Sequence, residues 1–431
     1  MAATKPARLP GRHRRVPERQ ATYGEVIAVP EFRALWLGQV FSLLGDQLAQ
    51  VALAILVYSR TQSALATAAV YALTYLPPIL GGPLLSGLAD RYPRRRVMLI
   101  CDVLRALLVA LMAVPGMPLG VLCALVFGVV LIGAPFSAAR AALLPEILEG
   151  DRYVIGSALQ NMTNQALQML GFVAGGALIA AMGPYRALAL DAATFLASAL
   201  CILAGVRRRP SPASGDSGKP SVWAMTKAGA RLVFGDSRLR TLVLFAWLCG
   251  FYVLPEGIAA PYAAALSDDP AAVPTVTGLL MAAMPTGTVL GAFLFSRFVT
   301  PSGRLHVMGW MAMLSCAPLA VCAVRPPLAV VLALWVLSGI GGAYQLAANA
   351  AFVRCVPSSS RGQAFGLVQS GLLAAQGIGI LIGGAAAQEL GPEPVVALAG
   401  AAGLVAAALL TALWAKHRSD VISASRGEPG T

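Results

Sequence analysis

Apolar residues run in long blocks along this chain, with polar residues gathered between them. Twelve blocks can be drawn, at about 34–58, 64–86, 97–115, 119–138, 157–181, 186–205, 240–264, 275–297, 304–323, 328–351, 362–387 and 393–415. A helix needs roughly 20 apolar residues to cross the hydrocarbon core of a bilayer, and each block is close to that length. The pattern predicts an all-α polytopic membrane protein with twelve transmembrane helices.

The longest polar interruption, 206–239, opens with RRRPSPASGDSGKP and divides the blocks six and six. GDSGKP lacks the spacing of a phosphate loop and has no strand before it, so the stretch reads as a linker. The two sides also repeat. In 142–184 and again in 352–392, a block ends near a proline (Pro145, Pro357), and a short basic loop and a polar-faced helix follow. Each stretch then reaches a Gly-Gly pair (Gly175-Gly176, Gly383-Gly384) and a closing Gly-Pro. Internal repeats of this kind typify secondary transporters. The expected organisation is two pseudo-symmetric six-helix bundles at 32–205 and 240–415, joined by the linker, with a disordered basic tail at 1–31 and a second tail at 416–431. The first 30 residues are basic and Pro-rich and have no apolar core, so no cleavable signal peptide is read there.

Composition sharpens this picture. Hydrophobic residues make up 58% of 431 and charged residues 12%, against about a quarter charged in an ordinary globular chain. The net charge of +13 would fit a nucleic-acid partner, but its placement does not. With the N-terminus in the cytoplasm, all but four of the 32 Lys and Arg fall on the inner side. Arg60, Arg186 and Arg325 fall outside, and Arg105 lies within a span. This is the positive-inside rule, so both termini are expected in the cytoplasm and the basic excess meets anionic lipid. No nucleic-acid role is expected. The seven cysteines form no CxxC, and the three histidines are scattered, so neither a metal site nor a cofactor is expected. No nucleophile–base cluster argues for an enzyme, and no Walker sequence for an ATP-driven pump.

Between the second and third blocks the chain reads SGLADRYPRRR. With this signature and the six-plus-six repeat, the chain resembles a major facilitator superfamily transporter over about residues 30–416. FRALWLGQVFSLLGDQLAQVALAILVY, LADRYPRRR and the fifth-to-sixth stretch resemble the branch of enterobactin-exporter-like and macrolide-efflux-like proteins. The family pattern in that loop is approximately GxLADRxGRRxxL. Here Ser86 replaces the first glycine and Pro93 the middle one, and proline cannot supply a left-handed turn. The resemblance implies that the loop latches the cytoplasmic side, with Asp90, Arg91, Arg94 and Arg95 as gating residues. Ser358–Gly362, at the start of the eleventh span, is the expected partner of Asp90, a carboxylate against a helix N-terminus. The alternative for the arginines is topology alone. Gly171-Phe172-Val173-Ala174-Gly175-Gly176 resembles the GPxxGG end of an antiporter motif, although Phe172 replaces the proline. Close packing of helices through small residues is the other account of those glycines.

Ionisable residues inside spans are costly and usually functional. Asp102 and Arg105, at i and i+3 on the third span, are expected to pair with each other and to extend the gating set. Asp46 lies about 18 Å into the first span with no basic residue within a helical turn. Glu256 follows Pro255 in the seventh span, the repeat partner of the first. These two are the candidates for proton coupling or substrate binding, facing one another across a cavity. The alternatives are a local hydrogen bond of Asp46 to Gln47 or Gln50, and an outer-interface position for Glu256. Asp191 reads as structural. Asn161, Asn164, Gln165 and Gln168 share one face of the fifth span, and Tyr344, Gln345, Gln369 and Gln376 add polarity in the second half. These are the expected cavity-lining residues.

The expected activity is secondary active transport at the plasma (inner) membrane by a monomer, with the proton gradient as energy source. The substrate would be an amphipathic drug, siderophore or secondary metabolite, exported by exchange for protons. A uniporter or importer of a small polar nutrient and a non-transporting membrane scaffold or sensor are the alternatives.

Overall fold

The structure, a computed structural model, describes residues 22–85, 91–209, 222–357 and 360–426. The described residues contain helices and no strands. The first half comprises α1 (Tyr23–Ile27), α2 (Pro30–Thr61), α3 (Ala64–Ala72), α4 (Leu76–Leu85), α5 (Arg94–Met112), α6 (Leu119–Ile147), α7 (Asp151–Met182) and α8 (Pro184–Gly205). After α9 (Val222–Gly235), the second half holds α10 (Ser237–Trp247), α11 (Cys249–Tyr252), α12 (Leu254–Gly257), α13 (Ala259–Leu266), α14 (Val273–Phe298), α15 (Pro301–Ala320), α16 (Leu328–Gly341), α17 (Tyr344–Cys355), α18 (Arg361–Leu390) and α19 (Pro392–Arg426).

Among the described residues, ten helices are long and apolar enough to cross a membrane. The remaining two expected spans are present in altered form. The second is split into α3 and α4 by a turn at 73–75, just before Pro77 and Pro78. The third, α5, is too charged to pass on hydropathy alone, because it carries Arg94, Arg95, Arg96, Asp102 and Arg105. The seventh span breaks into α10–α13, with a proline inside α12 where the sequence placed one. The twelve-helix arrangement of two six-helix bundles is thus complete. Large apolar side chains such as Leu200, Phe298, Trp310 and Leu409 point outward and are exposed, the surface a bilayer would cover.

One expectation needs correction. Residues 22–31, expected to belong to a disordered tail, are ordered. Thr22 caps α1 by accepting from the Glu25 backbone N–H, Val26 is buried, and α1 packs on α2 and α7. The expected linker contains a helix. Its second part is α9, which packs on α10 and α18 and buries Gly229 and Val233 one turn apart.

The two halves meet along two seams related by the repeat, α7 against α14 and α3 against α18. Both seams lie towards the ends remote from the basic loops. At the first, a Cβ on Gly278 would sit 2.5 Å from the Phe172 carbonyl oxygen and 2.7 Å from Cα of Gly176. At the second, a Cβ on Gly384 would meet the Ala68 side chain and the Ala64 carbonyl, and Ser63 donates to Gln388 at 2.8 Å. Small residues let the helices come this close, which accounts for the Gly-Gly pairs. Towards the basic loops the first half has a core of its own, including Phe32, Leu35, Met98, Phe136, Leu144 and Ile202. Among the described residues, no comparable packing joins α6 or α7 to α17 there. Among the described residues, α3 packs on α18 far more closely than α4 does, so the halves are held more tightly at the end remote from the basic loops.

Candidate functional site

The first half holds a cavity of about 430 Å³ between α2, α4, α5 and α6. Its wall is mostly apolar, with Leu53, Val109, Met112, Val126 and Val129 among the lining residues, but one side carries a cluster of charges. Asp46 comes from α2, Arg105 from α5, Arg140 from α6 and Asp191 from α8. Nη2 of Arg105 lies 2.7 Å from Oδ1 of Asp46. Its Nη1 donates to Oγ of Ser42 at 3.2 Å, and its guanidinium carbon sits 4.1 Å from the centroid of the Phe195 ring. Three contacts of different kinds therefore fix one arginine. Asp46 keeps 29% side-chain exposure against 7% for Arg105, so the carboxylate is the member of the pair that the cavity can reach.

Asp102 and Asp191 stand behind this pair. Ser198 donates to Oδ2 of Asp102 at 2.6 Å, while Oδ1 of Asp102 has no partner among the described residues. Thr194 donates to Oδ1 of Asp191 at 3.3 Å. Gly45 admits this packing, since a Cβ there would lie 2.0 Å from Oδ1 of Asp191. Three carboxyl groups thus stand around Arg105, and among the described residues Asp46 alone is ion-paired with it. Such a cluster is held only if its members are paired or protonated.

The expected pairing of Asp102 with Arg105 is not what the structure shows. The two share a face of α5, but that face meets α2 and α8, which supply nearer partners. Both are fully inside the bundle rather than at the loop. Asp46 does have a basic partner; it comes from another helix, where sequence spacing cannot show it. Arg140, which the sequence places at a loop, lines the cavity within α6.

Glu256 is buried, with 7% exposure. Its Oε2 accepts from the Tyr71 hydroxyl at 3.1 Å, a bond that crosses from α12 to α3 and so from one half to the other. The expected apposition of Asp46 and Glu256 is not seen: Asp46 is held within its own half and Glu256 by the α3 seam.

The polar residues of α7 divide. Asn164 accepts from Gln39, and Thr163 accepts from Trp36 Nε1 at 3.0 Å, so these join α7 to α2. Asn161 and Gln165 are exposed and Gln168 is half-buried. In the second half, Gln345 and Gln369 line a separate cavity, and Gln376 is half-buried outside it. Tyr344 does not line a cavity. It is fully buried and donates to the Phe245 carbonyl at 2.7 Å.

Asp90 lies outside the described residues, as does part of its expected partner segment 358–362. The loop arginines bind helix ends within their own half. Arg94 donates to the Ala142 carbonyl at 3.0 Å and pairs with Glu146. Arg95 donates to the Leu203 carbonyl at the end of α8. The Leu203 carbonyl is among the last four of α8, which have no intrahelical partner and attract a cation. Arg209 grips Glu31 with two N–H groups and approaches Glu146 at 3.7 Å. The Glu31–Arg209 pair was not anticipated; the only sequence signal is a carboxylate in the first turn of a span beside a basic linker. Bonded to Glu31, Arg209 has its pKa pushed above the usual arginine value despite partial burial. Arg91 lies at the surface.

Comparison with known proteins places this geometry. The family model described as Major Facilitator Superfamily matches residues 35–258 and 253–430. The chain is 29% identical over 374 residues to the multidrug efflux pump Tap of Mycolicibacterium fortuitum, covering 80% of this chain and 87% of that protein. Among solved structures, the nucleoside transporter NupG superposes with TM-score 0.65 at 15% identity, over 88% of this chain and 98% of that one. A POT family transporter in complex with 5-aminolevulinic acid gives 0.67 at 13%, over 90% and 96%. A bacterial homologue of ferroportin in an inward-facing state gives 0.62 at 19%, over 90% and 98%. At these identities the solved structures speak to fold alone. Two related six-helix halves and a family match over nearly the whole chain lead to one conclusion: this is a multi-pass membrane transporter, not an enzyme, and it belongs to the Major Facilitator Superfamily.

Proposed function

We propose that the chain is a proton-coupled exporter of amphipathic small molecules, working as a monomer by alternating access in the plasma (inner) membrane. In this reading the basic loops and both termini face the cytoplasm, the less tightly held end of the bundle opens inward, and the proton gradient supplies the energy. The observation that carries it is the Asp46–Arg105 pair on the wall of a largely apolar cavity, with the carboxylate side accessible.

Arg105 neutralises Asp46 in the present state. A proton delivered to Asp46 loosens the pair and leaves an uncharged carboxyl, while the freed Arg105 guanidinium is held by the two carboxyl groups behind it, Asp102 and Asp191. A neutral carboxyl passes through a dry occluded state more cheaply than a charged one. Substrate and proton then bias the same rocking equilibrium in opposite senses. Glu256 acts at the seam, where its bond to Tyr71 must part when the far end opens. Arg94 and Arg95 tie the basic-side ends of the first half into one body for gating, with Asp90 and Arg91 as gating residues of the same loop. Asn161 and Gln165 give the substrate path a polar lining. The efflux activity named for the relative from M. fortuitum supports export.

The reading is tested in everted membrane vesicles with a pH-sensitive dye. After energisation, a panel of amphipathic compounds is added, and the wild type is expected to release protons in a compound-specific way. Asp46→Asn, inserted and folded, is expected to release none. Equal release by the mutant would remove Asp46 from coupling. No release by wild type across the panel would favour a uniporter or a non-transporting protein.

A further inference from the structure

The second half contains its own cavity, of about 370 Å³, between α10, α17 and α18. Cavities of a few hundred cubic ångströms that are mostly apolar, with a few convergent polar groups, are the usual form of small-molecule sites. Phe352 and Phe365 form part of its wall and meet edge to face, with centroids 5.3 Å apart and an interplanar angle of 90°. The polar side chains in the lining are three amides, Gln345, Asn349 and Gln369, and no lining residue is charged.

The three amides are not equivalent. Nε2 of Gln345 is committed to the Ala246 carbonyl at 3.0 Å and to the Tyr252 hydroxyl at 3.2 Å. Asn349 and Gln369 are exposed and, among the described residues, neither side chain has a hydrogen-bond partner. Each therefore offers two N–H donors and a carbonyl acceptor from a wall that is otherwise aromatic and aliphatic. A ligand group with both donors and acceptors can pair with them. A bare charge cannot be neutralised there, and burying one unpaired is expensive. The cavity of the first half differs in kind, with Asp46, Arg105, Arg140 and Asp191 in its wall.

We propose that the cavity of the second half is a recognition subsite for uncharged, hydrogen-bonding apolar groups, such as a neutral aromatic ring carrying an amide or hydroxyl, read by Asn349 and Gln369. This rests on the transport reading above. Every lining residue belongs to α10, α17 or α18, so the bound group moves with the second half when the halves rock. Recognition and coupling then occupy different bodies. The lining runs along α17 from Gln345 to Phe352, beside Leu242–Ala246 of α10 and Phe365–Leu372 of α18, and its Phe352–Phe365 end lies towards the basic loops, from which a ligand would enter.

The test is equilibrium binding to the purified full chain in detergent, with two radiolabelled probes. Chloramphenicol is neutral and carries an aromatic ring, an amide and hydroxyls. Tetraphenylphosphonium is an apolar cation with no hydrogen-bonding group. Wild type is expected to bind chloramphenicol, and Asn349→Leu and Gln369→Leu are each expected to weaken it about tenfold, the value of one well-placed hydrogen bond in a desolvated site. Neither Leu variant should weaken tetraphenylphosphonium. Asn349→Asp keeps the shape and adds a charge, so it should weaken chloramphenicol and strengthen tetraphenylphosphonium. That gain of binding cannot come from misfolding, and a thermal transition on each variant guards the Leu results. Unchanged chloramphenicol affinity in both Leu variants, no gain for the cation with Asn349→Asp, or no chloramphenicol binding by folded wild type would each overturn the proposal. Equilibrium binding needs no proton movement. Chloramphenicol binding with the expected variant pattern, beside a silent vesicle assay, would therefore sink the transport reading and leave the subsite standing.

Discussion

Gly278→Ala perturbs the seam between the halves with one methyl group. The added Cβ would lie 2.5 Å from the Phe172 carbonyl oxygen and 2.7 Å from Cα of Gly176. Ordinary non-bonded contact begins at about 3.5 Å, so α7 and α14 must part by about 1 Å. The obstacles are backbone atoms, which cannot swing aside as the end of a long side chain would. Overpacking of this kind costs roughly 1–3 kcal/mol. The cost falls only on the state in which this seam is closed. Alanine also favours helix over glycine by about 0.5–1 kcal/mol, but that gain is common to both states and cancels. The ratio of states should therefore move about 5- to 150-fold towards the one open at the far end. The assay is a distance distribution between spin labels at Leu65→Cys and Leu390→Cys in a variant free of its native cysteines. Both positions are exposed and lie near the ends of α3 and α18 that meet at the second seam. The expected result is growth of a long-distance population at the expense of the short one. A folded variant with the wild-type distribution would refute the close backbone approach from which the magnitude is worked.

Substitutions at three further positions probe the charges. Arg105→Ala leaves Asp46 without its partner in a largely buried site, and breaking such a pair costs roughly 3–5 kcal/mol; a clear loss of melting temperature in detergent is expected, smaller for Arg105→Lys, and equal melting of all three proteins would contradict the pairing. Tyr71→Phe removes the donor to Glu256 across the halves, worth about 1–3 kcal/mol, and the spin-label pair should again report a larger far-end-open population, whereas an unchanged population would mean the bond does not hold the seam. Arg209→Ala breaks a partly exposed pair with Glu31 and should lower denaturant stability by no more than about 1 kcal/mol, so a collapse of the fold would show that the basic-side network carries more than its exposure implies.

Much of the fold was legible because crossing a bilayer imposes a length and a polarity on every helix. The break at Pro255 and the seams at Gly176 and Gly384 could also be read, since proline and glycine constrain the backbone locally. The helix Val222–Gly235 was hidden by its setting. It buries Gly229 and Val233 one turn apart, but a glycine in mid-helix weakens the helical signal, and the segment follows a basic, proline-rich stretch that reads as a loop. The charge cluster was half visible. Asp46 and Arg105 each stand out as ionisable residues in an apolar span. Their pairing depends on α2 and α5 both packing on α8, a relation between helices far apart in sequence. The same limit led to the expected Asp102–Arg105 pair: i and i+3 residues share a face, but sequence does not say what that face meets. Tyr344 shows the converse, a polar tip that looks like a cavity residue and instead satisfies a buried carbonyl in the α10 segment.

The claim that a proton on Asp46 drives movement is tested most directly with purified protein alone in proteoliposomes, under an imposed pH gradient and with no other energy source. Chloramphenicol accumulation against its own gradient is followed for wild type and Asp46→Asn. The account predicts gradient-dependent accumulation by wild type, and for the mutant only downhill equilibration that ignores the pH gradient. Accumulation by the mutant at the wild-type level, or wild-type movement indifferent to the pH gradient, would contradict it.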